Sequence, residues 1–211
     1  MTPQEASEQT AALCGLAPVI PVLVIEDATT ASDLAHALVA GGLPVLEVTL
    51  RTPAALDVIR AMAEVEGGVV GAGTLLSPGD VAAAKDAGAL FGVSPGATPQ
   101  LLQAAEDADL PLLPGAATAS EAMSLLERGY AAQKFFPAEA AGGPAFLGSL
   151  ASPLPQITFC PTGGINLAKA RDYLALPNVR CVGGSWVAPK DKIAAGDWAG
   201  IEALAAEAAA L

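Results

Sequence analysis

Short runs of strand-forming residues alternate with alanine-rich stretches along the whole chain, and this alternation limits the fold more than any other feature. Eight runs are rich in Val, Ile, Leu or Phe, and each is followed by turn residues and then by helix formers. They are residues 19–25, 45–50, 69–73, 90–93, 112–114, 132–136, 157–160 and 180–182. Eight strand–helix units in succession are typical of a (β/α)8 TIM barrel, an α/β fold in which helices surround parallel strands.

The spacing of the strand ends supports this prediction. Seven positions at or just past the strand ends are separated by 27, 21, 20, 19, 28 and 21 residues, which suits one strand, one helix and two loops per unit. These positions are Glu47, Thr74, Pro95, Gly115, Lys134, Thr162 and Gly183. A doubly wound open sheet is the alternative architecture. It would be expected to carry a glycine fingerprint after its first strand, where this chain has Glu26-Asp27-Ala28.

Helix start signals stand before four of the alanine-rich stretches. A Ser or Thr before a proline or an alanine run is typical of an N-cap. Such pairs occur at Thr29-Thr30, Thr52-Pro53, Ser77-Pro78 and Thr98-Pro99. An extra N-terminal helix near residues 3–13 and a closing helix near residues 198–210 are also predicted. Because no linker, charge block or low-complexity segment interrupts the series, we expect residues 1–211 to form a single domain.

The charge balance excludes several classes of partner. With 22 acidic and 10 basic residues the net charge is −12, so no nucleic acid and no anionic membrane surface is expected to bind. Residues 11–25 are apolar, but no Lys or Arg precedes Arg51, which does not fit a signal peptide. The three cysteines, Cys14, Cys160 and Cys181, are too few and too unevenly spaced for a disulfide framework. We therefore expect a cytoplasmic protein with reduced, buried thiols.

A single lysine lies within the apolar run at residues 131–139, which a proline closes. Strand alternation places Ala132, Lys134 and Phe136 on one face, so the amine would lie among side chains that exclude water. Exclusion of water disfavours an ammonium ion, and a neutral amine is the nucleophile that Schiff-base chemistry requires. The alternative is a lysine whose stem packs while its charged end reaches solvent.

The second strand carries a carboxylate and a guanidinium on one face. Alternation directs Glu47, Thr49 and Arg51 towards the barrel interior, since the intervening apolar side chains suit the helix layer. An internal ion pair that only neutralises charge is one interpretation, because buried charges are normally paired. The functional interpretation gives Glu47 the transfer of protons and gives Arg51 the binding of a substrate carboxylate.

Four other strand ends carry groups suited to ligand binding. Thr74 supplies a hydroxyl and Pro95 a possible pocket wall, although Pro95 also suits a plain turn. Paired glycines follow strands seven and eight, which is where barrels commonly bind phosphate through backbone amides and a helix start. These segments are Thr162-Gly163-Gly164 and Gly183-Gly184-Ser185, with Ser185 at an expected N-cap. The only histidine, His36, lies within a predicted helix and is interpreted as a packing residue.

Six motifs together resemble the family of 2-keto-3-deoxy-6-phosphogluconate and 4-hydroxy-2-oxoglutarate aldolases, which are class I, Schiff-base enzymes. The similarity runs from about residue 19 to residue 186. The motifs are Leu46-Glu47-Val48-Thr49-Leu50-Arg51-Thr52, Gly71-Ala72-Gly73-Thr74, Ser94-Pro95-Gly96, Lys134-Phe135-Phe136-Pro137-Ala138-Glu139, Phe159-Cys160-Pro161-Thr162-Gly163-Gly164-Ile165 and Gly183-Gly184-Ser185-Trp186.

The resemblance implies a role for each site residue and a lyase of the Entner–Doudoroff pathway. It implies that Lys134 forms the Schiff base and that Glu47 is the general acid and base. It also implies a phosphorylated keto-acid substrate, a homotrimer, and neither a metal nor another cofactor. The remaining implied contacts are Arg51 and Thr74 with the pyruvyl carboxylate, Pro95 and Thr162 with the substrate, and Gly163, Gly164, Gly184 and Ser185 with the phosphate.

Two positions depart from the family pattern. Ala141 stands where asparagine is common, and Pro144-Ala145 replaces a commonly basic position. Both leave the substrate preference open among the gluconate-derived acid, its galactonate epimer and unphosphorylated 4-hydroxy-2-oxoglutarate. A barrel that binds a sugar phosphate without turnover, with Lys134 only paired to Glu47, is the hypothesis from another functional class.

Overall fold

Nine strands and ten α-helices alternate in the computed structural model, which describes all of residues 1–211. The strands are β1 (Val19–Leu23), β2 (Val45–Thr49), β3 (Val69–Gly73), β4 (Phe91–Val93), β5 (Leu112–Leu113), β6 (Gly115–Ala116), β7 (Ala132–Phe135), β8 (Thr158–Pro161) and β9 (Val182–Gly184). The helices are α1 (Pro3–Cys14), α2 (Ala31–Ala40), α3 (Ala55–Ala63), α4 (Pro78–Asp86), α5 (Pro99–Asp107), α6 (Ala119–Arg128), α7 (Gly143–Ser149), α8 (Leu167–Leu174), α9 (Lys190–Ala195) and α10 (Trp198–Ala209). A 3₁₀ helix, Ala28–Thr30, precedes α2.

Every strand pairing is parallel. One sheet has the order β5-β4-β3-β2-β1-β9, and a second has the order β6-β7-β8. Only Pro114 separates β5 from β6, and isolated bridges Phe159↔Val179 and Thr162↔Gly183 join the end of β8 to the β9 region. The α/β class with a parallel sheet is confirmed. The predicted strand at 112–114 is divided in two, because β5 pairs with β4 whereas β6 pairs with β7.

The strands are buried on both faces, as parallel strands between helices and an interior must be. The large core under the helices contains Leu46 and Val48 of β2, whereas Val45 belongs to a smaller interior cluster. That cluster also contains Ala132 and the three buried thiols Cys14, Cys160 and Cys181. Val45 and Ala132 precede Glu47 and Lys134 by two positions, so the next inward layer, towards the strands' carboxyl ends, is charged.

Of the four predicted N-caps, two are confirmed, one is confirmed in position only, and one is wrong. Ser77 accepts a hydrogen bond from the backbone of Asp80, and Thr98 accepts one from Leu101. Thr52 instead donates to the carbonyl oxygen of Ile25 across the sheet, and no side chain caps α3. Thr30 does occupy the N-cap position of α2, but its hydroxyl donates to the Asp27 carbonyl oxygen and makes no capping hydrogen bond. A hydroxyl caps a helix only when no tertiary acceptor competes for it.

No α-helix of the structure has both the length and the apolar composition needed to span a bilayer. The longest helices, α1 and α10, have 12 residues each. Helix α10 packs across α2, so the last helix of the chain covers the helix that follows the first strand.

The packing of α10 on α2 depends on a glycine after α2. A β-carbon at Gly41 would lie 2.4 Å from the Ala205 β-carbon and 2.7 Å from the Glu202 carbonyl oxygen. We expect Gly41→Ala to lower the free energy of unfolding by about 1–3 kcal/mol, because α10 must shift. Urea unfolding followed by circular dichroism measures this change. Gly96→Ala is the matched control, since nothing lies within 4 Å of its added carbon, and equal stability of the two variants would contradict this packing.

Candidate active site

A lysine and a glutamate meet in the interior between the two sheets. Lys134 Nζ on β7 donates to Glu47 Oε1 on β2 at 3.1 Å, and each residue is only 3% exposed. Their strands are not hydrogen-bonded to each other, so the contact crosses the interior. The prediction that Lys134 is inward and shielded from water is therefore correct, and the alternative of a lysine reaching solvent is wrong.

Small and aromatic neighbours define the space that the two charges occupy. A β-carbon at Gly73 on β3 would lie 2.3 Å from Glu47 Oε1, so the carboxylate fits only because that position is glycine. The Phe136 ring lies 5.5 Å from Lys134 Nζ, within the range of a cation–π contact. Strand alternation had placed Phe136 on the same face as Lys134. That pattern could have identified Phe136 as a site residue, but it was not predicted as one.

Arg51 extends beyond the end of β2 and is exposed. Its Nε donates to Thr74 Oγ1 at 3.0 Å, and no carboxylate of the chain pairs with it. Thr74 has a φ of 62°, a left-handed conformation that is rare for a β-branched residue and that strains the backbone. The strained turn holds a hydroxyl against the guanidinium, and the two guanidinium NH2 groups remain available to an anion.

A cavity of about 240 Å³ opens at the carboxyl ends of β1, β2, β7, β8 and β9. It brings together six of the ten predicted site residues, along with Phe136. The six are Arg51, Thr162, Gly163, Gly164, Gly184 and Ser185. Lys134 lies beside the Phe136 ring and Glu47 contacts Lys134, but neither forms the cavity wall. Thr74 does not line the cavity either, and contacts Arg51, which does. Pro95 does not line the cavity and packs against Gly115.

The loop after β8 presents backbone donors to this cavity. The amide N–H groups of Gly163, Gly164 and Ser185 donate to no acceptor in the protein. Gly163 and Gly164 have φ angles of 109° and 78°, which residues other than glycine rarely adopt. Thr162 Oγ1 is buried and also has no hydrogen-bond partner. Successive unpaired amides on such a turn form a site for an anion.

The predicted N-cap role of Ser185 is wrong. A turn follows it, closed by a hydrogen bond from Ala188 to the Ser185 carbonyl oxygen, and α9 begins only at Lys190. Residues 185–189 are therefore a loop, and Pro189 occupies the cap position. Ser185 remains exposed at the cavity, so the anion site there is built from amides and a hydroxyl rather than from a helix terminus.

Glu139 connects the loop after β7 to helix α8. Its side chain accepts hydrogen bonds from Lys169 and from the Tyr173 hydroxyl. These contacts, with Lys169 first, hold the pKa of the Glu139 carboxyl below its usual value, whereas burial raises the pKa of Tyr173 above its usual value. Glu139 does not cap the next helix, because Gly142 occupies the cap position of α7. Lys169 and Tyr173 were not predicted from the sequence, since their role depends on this long-range contact.

A larger cavity of about 580 Å³ lies between α5 and α6. The charged groups on its wall include Arg128, which is already paired with Glu106. No buried amine lines this larger cavity, whereas Arg51 and the two glycine loops line the smaller one. No group of three or more His, Cys, Asp or Glu residues is arranged to hold a metal ion.

Comparison with known proteins identifies the family of the chain. The model of the family described as KDPG and KHG aldolase matches residues 11–204. The chain belongs to this aldolase family. It is 52% identical over 194 residues to the 2-dehydro-3-deoxy-phosphogluconate aldolase of Pseudoalteromonas atlantica, covering 92% of this chain and 90% of that protein. It is 53% identical over 192 residues to the KHG/KDPG aldolase of Escherichia coli, covering 90% of each chain.

Solved structures of family members have the same fold. The 2-keto-3-deoxy-6-phosphogluconate aldolase of Zymomonas mobilis, determined with 3-phosphoglycerate, superimposes with a TM-score of 0.93 at 51% identity, covering 97% of this chain and 96% of that one. The KDPG aldolase of Legionella pneumophila, with pyruvate captured as a covalent carbinolamine intermediate, gives a TM-score of 0.91 at 46% identity and covers 94% and 97%.

The two buried charges are expected to depend on each other for stability. Lys134→Met leaves the Glu47 carboxylate buried without its partner, and we expect a loss of about 3 kcal/mol in the free energy of unfolding. Adding Glu47→Leu removes the unpaired charge and should recover most of that loss. Urea unfolding of the two single variants and the double variant measures the coupling. Strictly additive effects would show that the two side chains do not interact.

Proposed function

We propose that this aldolase-family chain cleaves 2-keto-3-deoxy-6-phosphogluconate to pyruvate and glyceraldehyde 3-phosphate through a Schiff base on Lys134. The observation that carries the proposal is the buried amine, 3.1 Å from a carboxylate and beside an anion-binding cavity. The names of the relatives, which are aldehyde-lyases acting on this compound, support the same substrate. A step of the Entner–Doudoroff pathway is the corresponding metabolic role.

Two anion sites at one cavity match a substrate with an anion at each end. Arg51, held by Thr74, binds the carboxylate of the pyruvyl half, because its free guanidinium nitrogens match the planar carboxylate. Gly163, Gly164, Gly184 and Ser185 bind the phosphate through backbone N–H groups and the serine hydroxyl. The C2 carbonyl then lies between them, next to Lys134, and Thr162 adds a further substrate contact. The predicted contact with Pro95 is not part of this proposal, because Pro95 does not line the cavity.

Lys134 becomes a nucleophile when its ammonium group passes a proton to Glu47, its hydrogen-bond partner. Its nitrogen attacks C2 of the ketone, and Glu47, already hydrogen-bonded to it, relays protons so that the carbinolamine loses water and a protonated imine forms. Glu47 then accepts the C4 hydroxyl proton. As the C3–C4 bond breaks, its electron pair moves through C3–C2 into the imine, which releases glyceraldehyde 3-phosphate and leaves an enamine.

The enamine completes the cycle with the same two residues. Protonation at C3 regenerates the imine of pyruvate, and attack by water at C2 releases pyruvate and free Lys134. The protonated imine serves as the electron sink for C–C cleavage, so the mechanism assigns no step to a metal or another cofactor. The surrounding apolar groups, Phe136 above all, exclude water from the charged intermediates.

Cleavage of unphosphorylated 4-hydroxy-2-oxoglutarate to pyruvate and glyoxylate is a second proposed activity. The E. coli relative carries both names, KHG and KDPG aldolase, at 53% identity. This substrate shares the pyruvyl half and so uses Lys134, Glu47 and Arg51. It lacks the phosphate, and its second carboxylate is bonded directly to C4, closer to the reacting C2 than the phosphate is in the longer substrate. We therefore expect its turnover not to depend on the glycine loops.

Trapping of an imine tests the covalent mechanism. Incubation with pyruvate and sodium borohydride, followed by peptide mass mapping, should place a reduced pyruvyl adduct on Lys134. Lys134→Ala should abolish both the adduct and turnover, whereas Glu47→Gln should lower kcat by a factor on the order of 10² or more and still permit slow trapping. An unmodified Lys134 peptide in the wild-type protein would leave only a non-catalytic phosphate-binding barrel.

We also propose a closed barrel, a trimeric assembly and a cytoplasmic location for this protein. The two sheets together make a closed (β/α)8 barrel, in which β5 and β6 count as one strand. Residues 1–211 are one domain, with α1 as an extra N-terminal helix. The protein is cytoplasmic and assembles as a homotrimer. The exposed apolar side chains of Leu76, Leu90 and Met123 provide surface that an assembly would cover.

Sedimentation equilibrium tests the trimer. The expected mass is about three times the chain mass of 20.9 kDa. Charged substitutions that split a trimer, such as Met123→Glu or Leu90→Glu, would locate the interface. A single species with the mass of one chain at micromolar concentration would contradict the proposal.

A further inference from the structure

The side chain of Glu139 packs against the glycine loop that is proposed to bind phosphate. A β-carbon at Gly164 would lie only 2.8 Å from Glu139 Cγ, and the Glu139 amide donates to the Gly163 carbonyl oxygen at 3.1 Å. The Glu139 side chain is partly exposed, at 29%. Backbone and side chain together fix this acidic residue against the two glycines whose N–H groups have no partner in the protein.

Such a carboxylate opposes the binding of a phosphate. Both groups are anionic, and repulsion over a few ångströms is stronger at a partly buried site than in bulk water. The whole chain carries a net charge of −12, so the surroundings add to the repulsion. The charge of Glu139 must therefore be offset locally if the loop is to hold a dianion.

Helix α8 supplies the two groups that offset it. Lys169 Nζ forms an ion pair with Glu139 Oε2, and the buried Tyr173 hydroxyl donates to Oε1 at 2.7 Å. The two donors are four positions apart and so lie on one face of the helix. The pair also lowers the pKa of the Glu139 carboxyl, so the residue stays ionised at neutral pH and needs its cation there.

We propose that Lys169 determines the preference for phosphorylated substrates by masking the charge of Glu139, with Tyr173 orienting that carboxylate behind the Gly163-Gly164 loop. This inference rests on the proposed function. Lys169 touches neither the reacting atoms nor the cavity wall, so it is a positioning residue that acts through Glu139. Its loss exposes a negative charge beside the phosphate site and leaves the amine chemistry of Lys134 untouched.

The test compares two substrates that differ in the phosphate. In Lys169→Met, KM for 2-keto-3-deoxy-6-phosphogluconate should rise on the order of tenfold with kcat nearly unchanged, and less so at high salt. The kinetics with 4-hydroxy-2-oxoglutarate should not change. Adding Glu139→Gln removes the exposed charge and should restore the KM. Lys192→Met, which breaks the ion pair with Asp197, is the matched control and should leave both substrates unaffected.

Outcomes that would overturn the inference are distinct from failure of the proposed function. Equal losses on both substrates, or no recovery in the double variant, would mean that Lys169 only stabilises the loop. Trapping of pyruvate on Lys134 at the wild-type rate confirms that each variant is folded.

Titration with inorganic phosphate gives a readout without turnover. Weaker phosphate binding by Lys169→Met, restored in the double variant, supports the inference even if the wild-type protein forms no imine. Unchanged phosphate binding in Lys169→Met would overturn it.

Discussion

The contact between Lys134 and Glu47 is the interaction on which the rest of the structure depends. Two charges that are each 3% exposed are tolerable only as partners, because either alone would remain unsolvated. The interior is built to accept them, since Gly73 leaves room for the carboxylate and the Phe136 ring covers the ammonium. The same contact lets a proton pass directly between the amine and the carboxylate. The stability of the interior and the proposed chemistry therefore use one pair of side chains.

A chain this acidic can bind an anion only through groups that contact the anion directly. The net charge of −12 offers no general attraction, and the cavity relies on one guanidinium and on amides that the fold leaves unpaired. Backbone donors suit this purpose because they are fixed by the loop and carry no counter-charge of their own. The charge of Glu139 has to be offset for the same reason, and Lys169 and Tyr173 of helix α8 provide the offset.

Much of the molecule could be predicted from local patterns. Strand alternation correctly placed Lys134 and Glu47 inside, and the order of strands and helices predicted the parallel α/β arrangement. The wrong predictions concern hydroxyl groups: Thr52 donates to Ile25 across the sheet, and Ser185 begins a turn instead of a helix. A hydroxyl has many possible acceptors, and its choice depends on neighbours that are distant in sequence.

The sequence by itself determined the class of fold, the inward position of the reactive lysine and the family, because periodicity and motifs are properties of adjacent residues. Only the tertiary structure decided what each charged group faces. It joined Lys134 to Glu47 over 87 positions, Arg51 to Thr74 over 23, and Glu139 to Lys169 over 30. Such contacts follow from how strands and helices pack, and side-chain electrostatics act through distance in space rather than along the chain.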